Sequence, residues 1–238
     1  MTAVSPQRTA LVTGCLGAIG RAICTELRQQ GYRLVGTDYG PHAGFEGDYH
    51  ACDLVDPDAV VRLLADIAPG LSAGITLLVN NAGLYEPVPF FDLTLQDFDR
   101  AYAVNVRAPF QLSQAVARWM VAHGHQGAIV NIASIAGKLG SPIIPYGSSK
   151  AATIGLTRSL ARVLAPHGIR VNAIAPGVIE TPMSAAVNAA QMQRQLANVP
   201  MGRMGEPSEI ARVVSFLASP AAGYMTGSIV DVNGGWMC

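Results

Sequence analysis

Short apolar runs rich in β-branched residues alternate along the chain with segments of helical periodicity. This alternation predicts strands that are buried on both faces and separated by helices, as in a parallel sheet. Glycine and proline mark many of the boundaries, for example at Gly31 and at Pro176-Gly177. Strands are predicted at 9–13, 32–37, 75–79, 128–133, 169–175 and 228–232, and helices at 19–30, 57–67, 96–122, 146–165, 183–196 and 208–217.

These elements predict one α/β domain over residues 1–238, a doubly wound parallel sheet with helices on both faces. A chain of 238 residues suits one large domain of this class. The helix at 57–67 has Asp56 as its expected N-cap. Residues 38–53 are too rich in glycine, proline and aromatic residues for a helix. We expect an irregular connection there.

The composition excludes several classes of function. Sixteen basic residues balance sixteen acidic ones, so the chain has no global electrostatic footprint for binding nucleic acid. The four cysteines form neither a C-x-x-C pair nor a Cys/His cluster with zinc spacing, which predicts reduced thiols and no metal site. No signal-peptide pattern and no apolar run of transmembrane length occurs. We therefore expect a cytoplasmic protein that does not bind a membrane.

A glycine-rich stretch, TGCLGAIG, lies between the first predicted strand and the first predicted helix. Gly14 permits a tight turn, Gly17 lets the backbone approach a pyrophosphate, and Gly20 allows close packing of helix and strand. The helix from about Ile19 offers free N–H groups and a partial positive charge to phosphates. Such a loop taken alone is more often a plain turn.

Further polar groups follow other predicted strands, at the sheet edge where ligands of doubly wound folds bind. Asp38 can accept hydrogen bonds from both ribose hydroxyls of NAD. It would repel the 2′-phosphate of NADP, because no Arg or Lys adjoins it in the sequence. Asp53 can accept a hydrogen bond from the adenine amino group or cap a turn, and its position leaves both roles open.

A second group of residues suggests acid–base chemistry. Tyr146 and Lys150 lie four residues apart at a predicted helix start and share one helix face. A cationic lysine about 4 Å away would lower the phenol pKa by about three units, towards neutral pH. Ser134 follows a strand, and its hydroxyl can hydrogen-bond a substrate carbonyl. Asn105 is a poor helix former in an apolar setting, and we expect it to bind a water or to disturb the helix.

The ordered set of motifs resembles the short-chain dehydrogenase/reductase family over almost the whole chain. The motifs are TGCLGAIG, Asp38, CDL, NNAG, Asn105, Ser134, YGSSK, PGVIETP and YMTGSIVDVNGG. The resemblance implies a Rossmann-type oxidoreductase that uses a nicotinamide cofactor. Tyr146 would be the acid/base, and Lys150 would lower its pKa and bind the nicotinamide ribose. Ser134 would orient the substrate oxygen, and Asn105 would hold a proton-relay water. The implied cofactor site contains Gly14, Gly17, Ile19, Asp38, Asp53, Leu54, Asn81, Gly83, Tyr146, Lys150, Ile179 and Thr181.

Two departures from the family pattern concern cofactor affinity and substrate choice. The family loop usually reads T-G-x-x-x-G-x-G, whereas here Ala18 replaces the middle glycine and Gly17 stands just before it. We expect altered affinity at most, because an alanine is harmless where its φ is negative. The stretch from Ser134 to Tyr146 is one residue shorter than in many relatives, and its loop GKLGSPIIP lies on the substrate side.

Three functional hypotheses follow. The first is an NAD-dependent oxidoreductase for a small secondary alcohol or ketone of sugar, polyol, cyclic alcohol or dihydrodiol type. The second is an NADPH-dependent 3-oxoacyl-carrier-protein reductase, which PMGRMGEPSEIA and DVNGG resemble. Asp38 counts against it, and so does the lack of arginine at the positions that bind the acidic carrier in those enzymes, which fall near His125 and His167. The third is a dinucleotide-binding sensor without turnover, which would not need all the catalytic residues.

The resemblance also implies a lid and an assembly. In the resembled fold, the segment at about 183–205 covers the substrate. The methionines of this segment would form an adaptable apolar pocket, or they would pack in the core or in an interface. These methionines are Met183, Met192, Met201 and Met204. The family expectation is a homotetramer formed through the helices at 96–122 and 146–165.

Overall fold

The buried apolar runs of the sequence become the strands of one parallel sheet. A computed structural model describes residues 8–40, 44–70, 74–185 and 189–237. The strands in these ranges are β1 (Thr9–Thr13), β2 (Arg33–Asp38), β3 (Asp48–Ala51), β4 (Ile75–Asn80), β5 (Gly127–Ile132), β6 (Ile169–Pro176) and β7 (Ile229–Val232). They lie in the order β3-β2-β1-β4-β5-β6-β7, and the neighbours pair in parallel.

Helices cover both faces of this sheet. They are α1 (Ala18–Gln29), α2 (Pro57–Ile67), α3 (Leu95–Tyr102), α4 (Ala108–Ala122), α5 (Ala136–Leu139), α6 (Ile144–Leu164), α7 (Pro182–Ala185), α8 (Ala189–Leu196) and α9 (Pro207–Ala218). Successive strand residues point to opposite faces of the sheet. Val12 therefore packs in the hydrophobic core formed with α1 and α9, and Leu11 packs in the core formed with α2, α4 and α6. The predicted doubly wound α/β fold is therefore confirmed.

The connection predicted as irregular at 38–53 contains strand β3, so that prediction is wrong for Asp48–Ala51. This segment pairs with the whole of Val35–Asp38 at the edge of the sheet, and Arg33 forms an ion pair with Asp48 at 2.5 Å. The pairing partner, rather than the local composition, makes the segment extended. Residues 41–43 of this connection lie outside the described residues.

The long helix predicted at 96–122 is interrupted. A π-helical turn over Ala103–Arg107 separates α3 from α4, and Asn105 lies in it. The predicted local disturbance at Asn105 is thus confirmed. Thr94 caps α3 and forms a capping box with Asp97.

The segment predicted as helical at 183–196 forms two short helices, α7 and α8. Residues 186–188 lie outside the described residues, as does the side chain of Met183.

The strand order places β1 beside β4, where the winding of the sheet changes direction. Ligands of such sheets bind at this switch point, outside the carboxyl ends of the strands. The segments that follow β1, β2, β4, β5 and β6 therefore meet at one edge. They carry most of the residues that the sequence selected for a site.

Candidate active site

A cleft of about 1200 Å³ opens at this edge of the sheet. Of the residues predicted for the site, Asn105 alone is not part of its lining. The lining includes Gly14, Gly17, Ile19, Asp38, Asp53, Leu54, Asn81, Gly83, Ser134, Tyr146, Lys150, Ile179 and Thr181. The fold thus brings together residues that are far apart in the sequence, in a space large enough for a dinucleotide and a small substrate.

The glycine loop has the geometry of a phosphate cradle. Gly14 has φ +64°, and a Cβ there would lie 2.8 Å from the Cα of Ala82. A Cβ on Gly20 would lie 2.0 Å from the carbonyl oxygen of Gly14, so the packing of α1 on the loop requires glycine. A Cβ on Gly17 would meet only that oxygen, at 3.5 Å. The fold itself therefore tolerates a side chain at Gly17, and the space beside it opens to the cleft.

The N-terminus of α1 also faces this cleft. Its N-cap is Gly17, without a side-chain cap and without an acidic residue in the first turn. The first N–H groups of the helix are therefore available to an anion. Ala18 has an ordinary backbone conformation, since the described residues with positive φ are all glycines. The departure at Ala18 introduces no backbone strain.

The NNAG turn after β4 is locked onto the glycine loop. The amide Nδ2 of Asn81 donates to the carbonyl oxygens of Thr13 and Gly14, both at 3.0 Å. The Thr13 hydroxyl accepts from the backbone N–H groups of Asn81 and Ala82, both at 3.0 Å. Thr13 is a positioning residue that sequence reasoning missed, although it begins the glycine motif.

The Asp38 carboxylate is fixed at the end of β2. Its Oδ2 accepts from the backbone N–H of Leu16 at 2.9 Å, and its Oδ1 accepts from that of Tyr39 at 2.8 Å. Asp53 accepts from the backbone N–H of Val55 at 2.9 Å, as in a tight turn. Two carboxylates therefore lie at this end of the cleft.

The basic residues among the described lining of the cleft are Arg100 and Lys150. Lys150 lies beside Tyr146, and Arg100 pairs with Glu86, which follows the NNAG turn. Neither belongs to the group around Asp38. The described lining is thus acidic at the end that contains Asp38 and Asp53, and Arg21, whose Nε donates to the Leu16 carbonyl oxygen at 2.8 Å, lies outside that lining.

Tyr146, Lys150 and Ser134 converge at the other end of the cleft. Tyr146 and Lys150 lie in the first turns of α6, and the Lys150 Nζ donates to the carbonyl oxygen of Ile132 at 2.7 Å. This Nζ lies 5.7 Å from the centre of the Tyr146 ring. The Ser134 hydroxyl, which hydrogen-bonds Tyr146, also accepts from the backbone N–H of Ala136 at 3.1 Å.

Burial dominates the electrostatics of this group. It lowers the pKa of Lys150 to about 8 and raises the pKa of Tyr146 above its ordinary value. The hydrogen bond with Ser134 acts in the opposite direction on the Tyr146 pKa but does not reverse it. The predicted lowering of the phenol pKa by Lys150 is therefore not seen, because the loss of solvent disfavours both charged forms.

Asn105 lies behind the cleft and is 2% exposed. Its Oδ1 accepts from the backbone N–H of Leu84 at 2.7 Å, while its Nδ2 donates to the Leu84 carbonyl oxygen at 3.1 Å and to the Ser149 hydroxyl at 2.9 Å. These bonds tie the π-helical turn to the segment after Gly83 and to α6. Asn105 is a positioning residue in this arrangement, and its role towards a water stays a prediction.

Several lining residues were missed by sequence reasoning. The Tyr85 ring meets that of Tyr146 edge to face, with centroids 5.0 Å apart. The position of Tyr85 two residues after NNAG was a usable signal. The other missed residues, which belong to no motif, include Glu86, Arg100, Gln191, Gln195 and Trp236. By contrast, Met192, Met201 and Met204 are not part of the lining, and Met201 is 62% exposed.

Comparison with known proteins decides the family. A family model described as enoyl-(acyl carrier protein) reductase matches residues 14–237. The sequence is 38% identical over 237 residues to the 3-oxoacyl-[acyl-carrier-protein] reductase FabG of Vibrio cholerae, with 96% of each chain covered. The chain belongs to the short-chain dehydrogenase/reductase family. The predicted family is thus confirmed.

Two solved structures of this family resemble the fold closely. A 4-hydroxyisoleucine dehydrogenase complexed with NADH matches with a TM-score of 0.91 and 28% identity, over 97% of this chain and 99% of the other. A candidate 2-deoxy-D-gluconate 3-dehydrogenase from Agrobacterium tumefaciens with bound NADP matches with a TM-score of 0.88 and 35% identity, over 100% and 99%.

Membership of the short-chain dehydrogenase/reductase family makes the chain an oxidoreductase with a nicotinamide cofactor. The NADH and NADP of the two solved structures show that neighbours of this fold hold either form. In the described part of this chain, no helix is long and apolar enough to cross a membrane.

Proposed function

We propose that this protein transfers a hydride between NAD and a small secondary alcohol or ketone of sugar, polyol, cyclic alcohol or dihydrodiol type. The observation that carries the choice of NAD is the fixed carboxylate of Asp38. It lies at the end of β2, and Asp53 is the other charged residue of the described cleft lining at this end. A carboxylate there accepts hydrogen bonds from ribose hydroxyls and repels a phosphate group on the ribose.

The residues of the cleft fit a dinucleotide. The uncapped N-terminus of α1 and the bare backbone at Gly17 suit a pyrophosphate. Asp38 would hold the adenosine ribose, and Asp53 with Leu54 would contact the adenine. The nicotinamide half would lie against Asn81, Gly83, Ile179, Thr181, Tyr146 and Lys150.

The side chains at the far end would move the proton. A nicotinamide cofactor bound there would supply the hydride acceptor for oxidation of the alcohol and the hydride donor for reduction of the ketone. During reduction the Oη of Tyr146, which its raised pKa keeps protonated, gives its proton to the carbonyl oxygen. During oxidation the deprotonated Oη takes the proton of the carbinol hydroxyl. The Ser134 hydroxyl hydrogen-bonds the same substrate oxygen. Of the three donors of Lys150, one is bound to the Ile132 carbonyl oxygen, and the others would be available to the cofactor ribose and to the Oη of Tyr146.

The predicted lid and assembly belong to the same proposal. The segment 183–205 contributes Gln191 and Gln195 to the cleft wall, which supports a covering role over the substrate. Large apolar side chains are exposed on the elements expected to form the homotetramer. They include Val163 at 66%, Val121 at 44% and Phe110 at 43%. Such surfaces favour association with further copies of the chain.

A second candidate is an NADPH-dependent reductase of 3-oxoacyl groups on a carrier protein. The likeness to the Vibrio cholerae enzyme favours it. The acidic character of the adenosine end of the cleft opposes it, since the phosphate of NADPH would meet Asp38 there.

The test replaces Asp38 with asparagine, which keeps an acceptor for the Leu16 N–H but removes the charge. The ratio of kcat/KM with NAD to that with NADP is measured for one alcohol that the enzyme oxidises. We expect a fall of about tenfold or more, equivalent to about 1.4 kcal/mol. The control is Asp66→Ala, which removes the same charge at an exposed position of α2 and should leave the ratio unchanged. A wild-type preference for NADP, or an unchanged ratio in Asp38→Asn, would refute the proposed role of Asp38.

A further inference from the structure

An ion pair lies in the wall of the cleft next to the proposed acid/base. Glu86 follows Tyr85, whose ring contacts that of Tyr146. Glu86 and Tyr146 also line one small cavity, of about 10 Å³, between the segment after β4 and the start of α6. The Glu86 carboxylate therefore belongs to the substrate end of the cleft.

Arg100, on α3, holds this carboxylate. Its Nη2 donates to the Oε2 of Glu86 at 2.5 Å and lies 3.7 Å from the Oδ1 of Asp97. This hydrogen bond, and after it the charge of Glu86, raises the pKa of Arg100 above its ordinary value. The side chains of Glu86 and Arg100 are 36% and 42% exposed, and both residues line the cleft. Within the described part of the chain, the Oε1 of Glu86 has no hydrogen-bond partner.

The charge around this pair argues for the kind of group that it binds. Glu86 and Asp97 carry two negative charges around the one positive charge of Arg100, and Lys150, the other basic residue of the described lining, is bound to the Ile132 carbonyl oxygen. An anionic substrate group would be repelled, and an apolar chain would desolvate the carboxylate without replacing its hydrogen bonds. A hydroxyl group, in contrast, donates to a carboxylate and brings no charge.

We infer that Glu86, oriented by Arg100, accepts a hydrogen bond from a substrate hydroxyl near the reacting carbinol and thereby selects neutral polyhydroxylated substrates. Arg100 is a positioning residue, because it acts through Glu86. Polar side chains from the opposite wall suit the same substrates, since Gln191 and Gln195 lie one turn apart on α8 and both line the cleft. This inference rests on the proposed function and narrows its substrate to sugars and polyols.

The test compares inositol and cyclohexanol, which share a six-membered carbon ring and differ in their other hydroxyl groups. Oxidation with NAD is followed for the wild type and for Glu86→Gln. Calorimetric titrations of both compounds into the enzyme–NADH complex measure binding without turnover. We expect the inositol-to-cyclohexanol ratio of kcat/KM, and of affinity, to fall about tenfold in Glu86→Gln, which is typical of losing a hydrogen bond to a charged group. The effect should lie mainly in KM.

Two further variants separate positioning from general damage. Arg100→Lys keeps a cation beside Glu86 and should retain most of the preference, while Arg100→Leu should lose it. Glu46→Gln is the matched control, because Glu46 pairs with Arg28 at 2.5 Å and is not part of the cleft lining. It should keep the wild-type ratio.

The outcomes distinguish this inference from the proposed function. If Glu86→Gln keeps the wild-type preference, or if its kcat/KM falls equally for both compounds, Glu86 does not select hydroxyl groups and the inference is wrong. If the wild type oxidises cyclohexanol but binds inositol no more tightly than cyclohexanol, the dehydrogenase function stands and the inference is wrong. If no alcohol is oxidised but inositol binding depends on Glu86, the proposed function fails while the inferred hydroxyl site stands.

Discussion

The burial of Lys150 has a measurable cost in stability. Its pKa is lowered from 10.5 to about 8, so the folded state disfavours the charged form. One pKa unit corresponds to about 1.4 kcal/mol, and the burial therefore costs about 3 kcal/mol at neutral pH. The unfolded chain binds more protons between the two pKa values, so this cost falls as the pH rises through that window. Near pH 10 about 1 kcal/mol remains.

Lys150→Met removes the ionisable group but keeps an unbranched apolar side chain. The lost hydrogen bond to the Ile132 carbonyl costs about 1 kcal/mol, so the variant should be more stable by about 2 kcal/mol near pH 7. This gain should disappear near pH 10, and the variant should be inactive. Urea unfolding followed by circular dichroism at both pH values gives the two free energies of unfolding. A stability difference that is the same at both pH values would refute the electrostatic reasoning.

Three other changes have defined outcomes. Tyr146→Phe should abolish turnover while NADH affinity stays within a few fold, and retained activity would contradict the acid/base assignment. Gly20→Ala should lower the free energy of unfolding by about 2 kcal/mol or more, because its Cβ would lie 2.0 Å from a backbone oxygen. Gly155→Ala, in an open position on α6, should be neutral or up to about 1 kcal/mol more stable, and equal unfolding curves for these two variants would contradict the packing argument. Light scattering should give the mass of a tetramer, and a monomer would exclude that assembly.

Much of the fold could be predicted because most strands are buried apolar runs bounded by turn residues. The strand at Thr9–Thr13 is fully buried and was predicted with the observed bounds. The strand at Asp48–Ala51 was not, because its residues are partly exposed and it follows a segment that contains Gly44 and Gly47. Its extended form depends on pairing with Val35–Asp38, which no local pattern encodes.

The site was predictable where a residue belongs to a motif at a strand end, as with Asp38 and Ser134. Glu86 and Arg100 are separated by 14 residues and belong to no motif, so only the turn of the chain between β4 and α3 brings them together. The lowered pKa of Lys150 could not be predicted from the sequence either, because the spacing of residues shows which groups are neighbours but not how far solvent is excluded from them.

Paired titrations with NADH and NADPH test whether the fixed Asp38 carboxylate makes this protein prefer NAD. Trp236 lines the cleft, so its fluorescence should change when either dinucleotide binds. We expect firm binding of NADH and binding of NADPH that is weaker by about tenfold or more. Equal or tighter binding of NADPH would contradict the role of Asp38 and favour the carrier-linked ketoreductase.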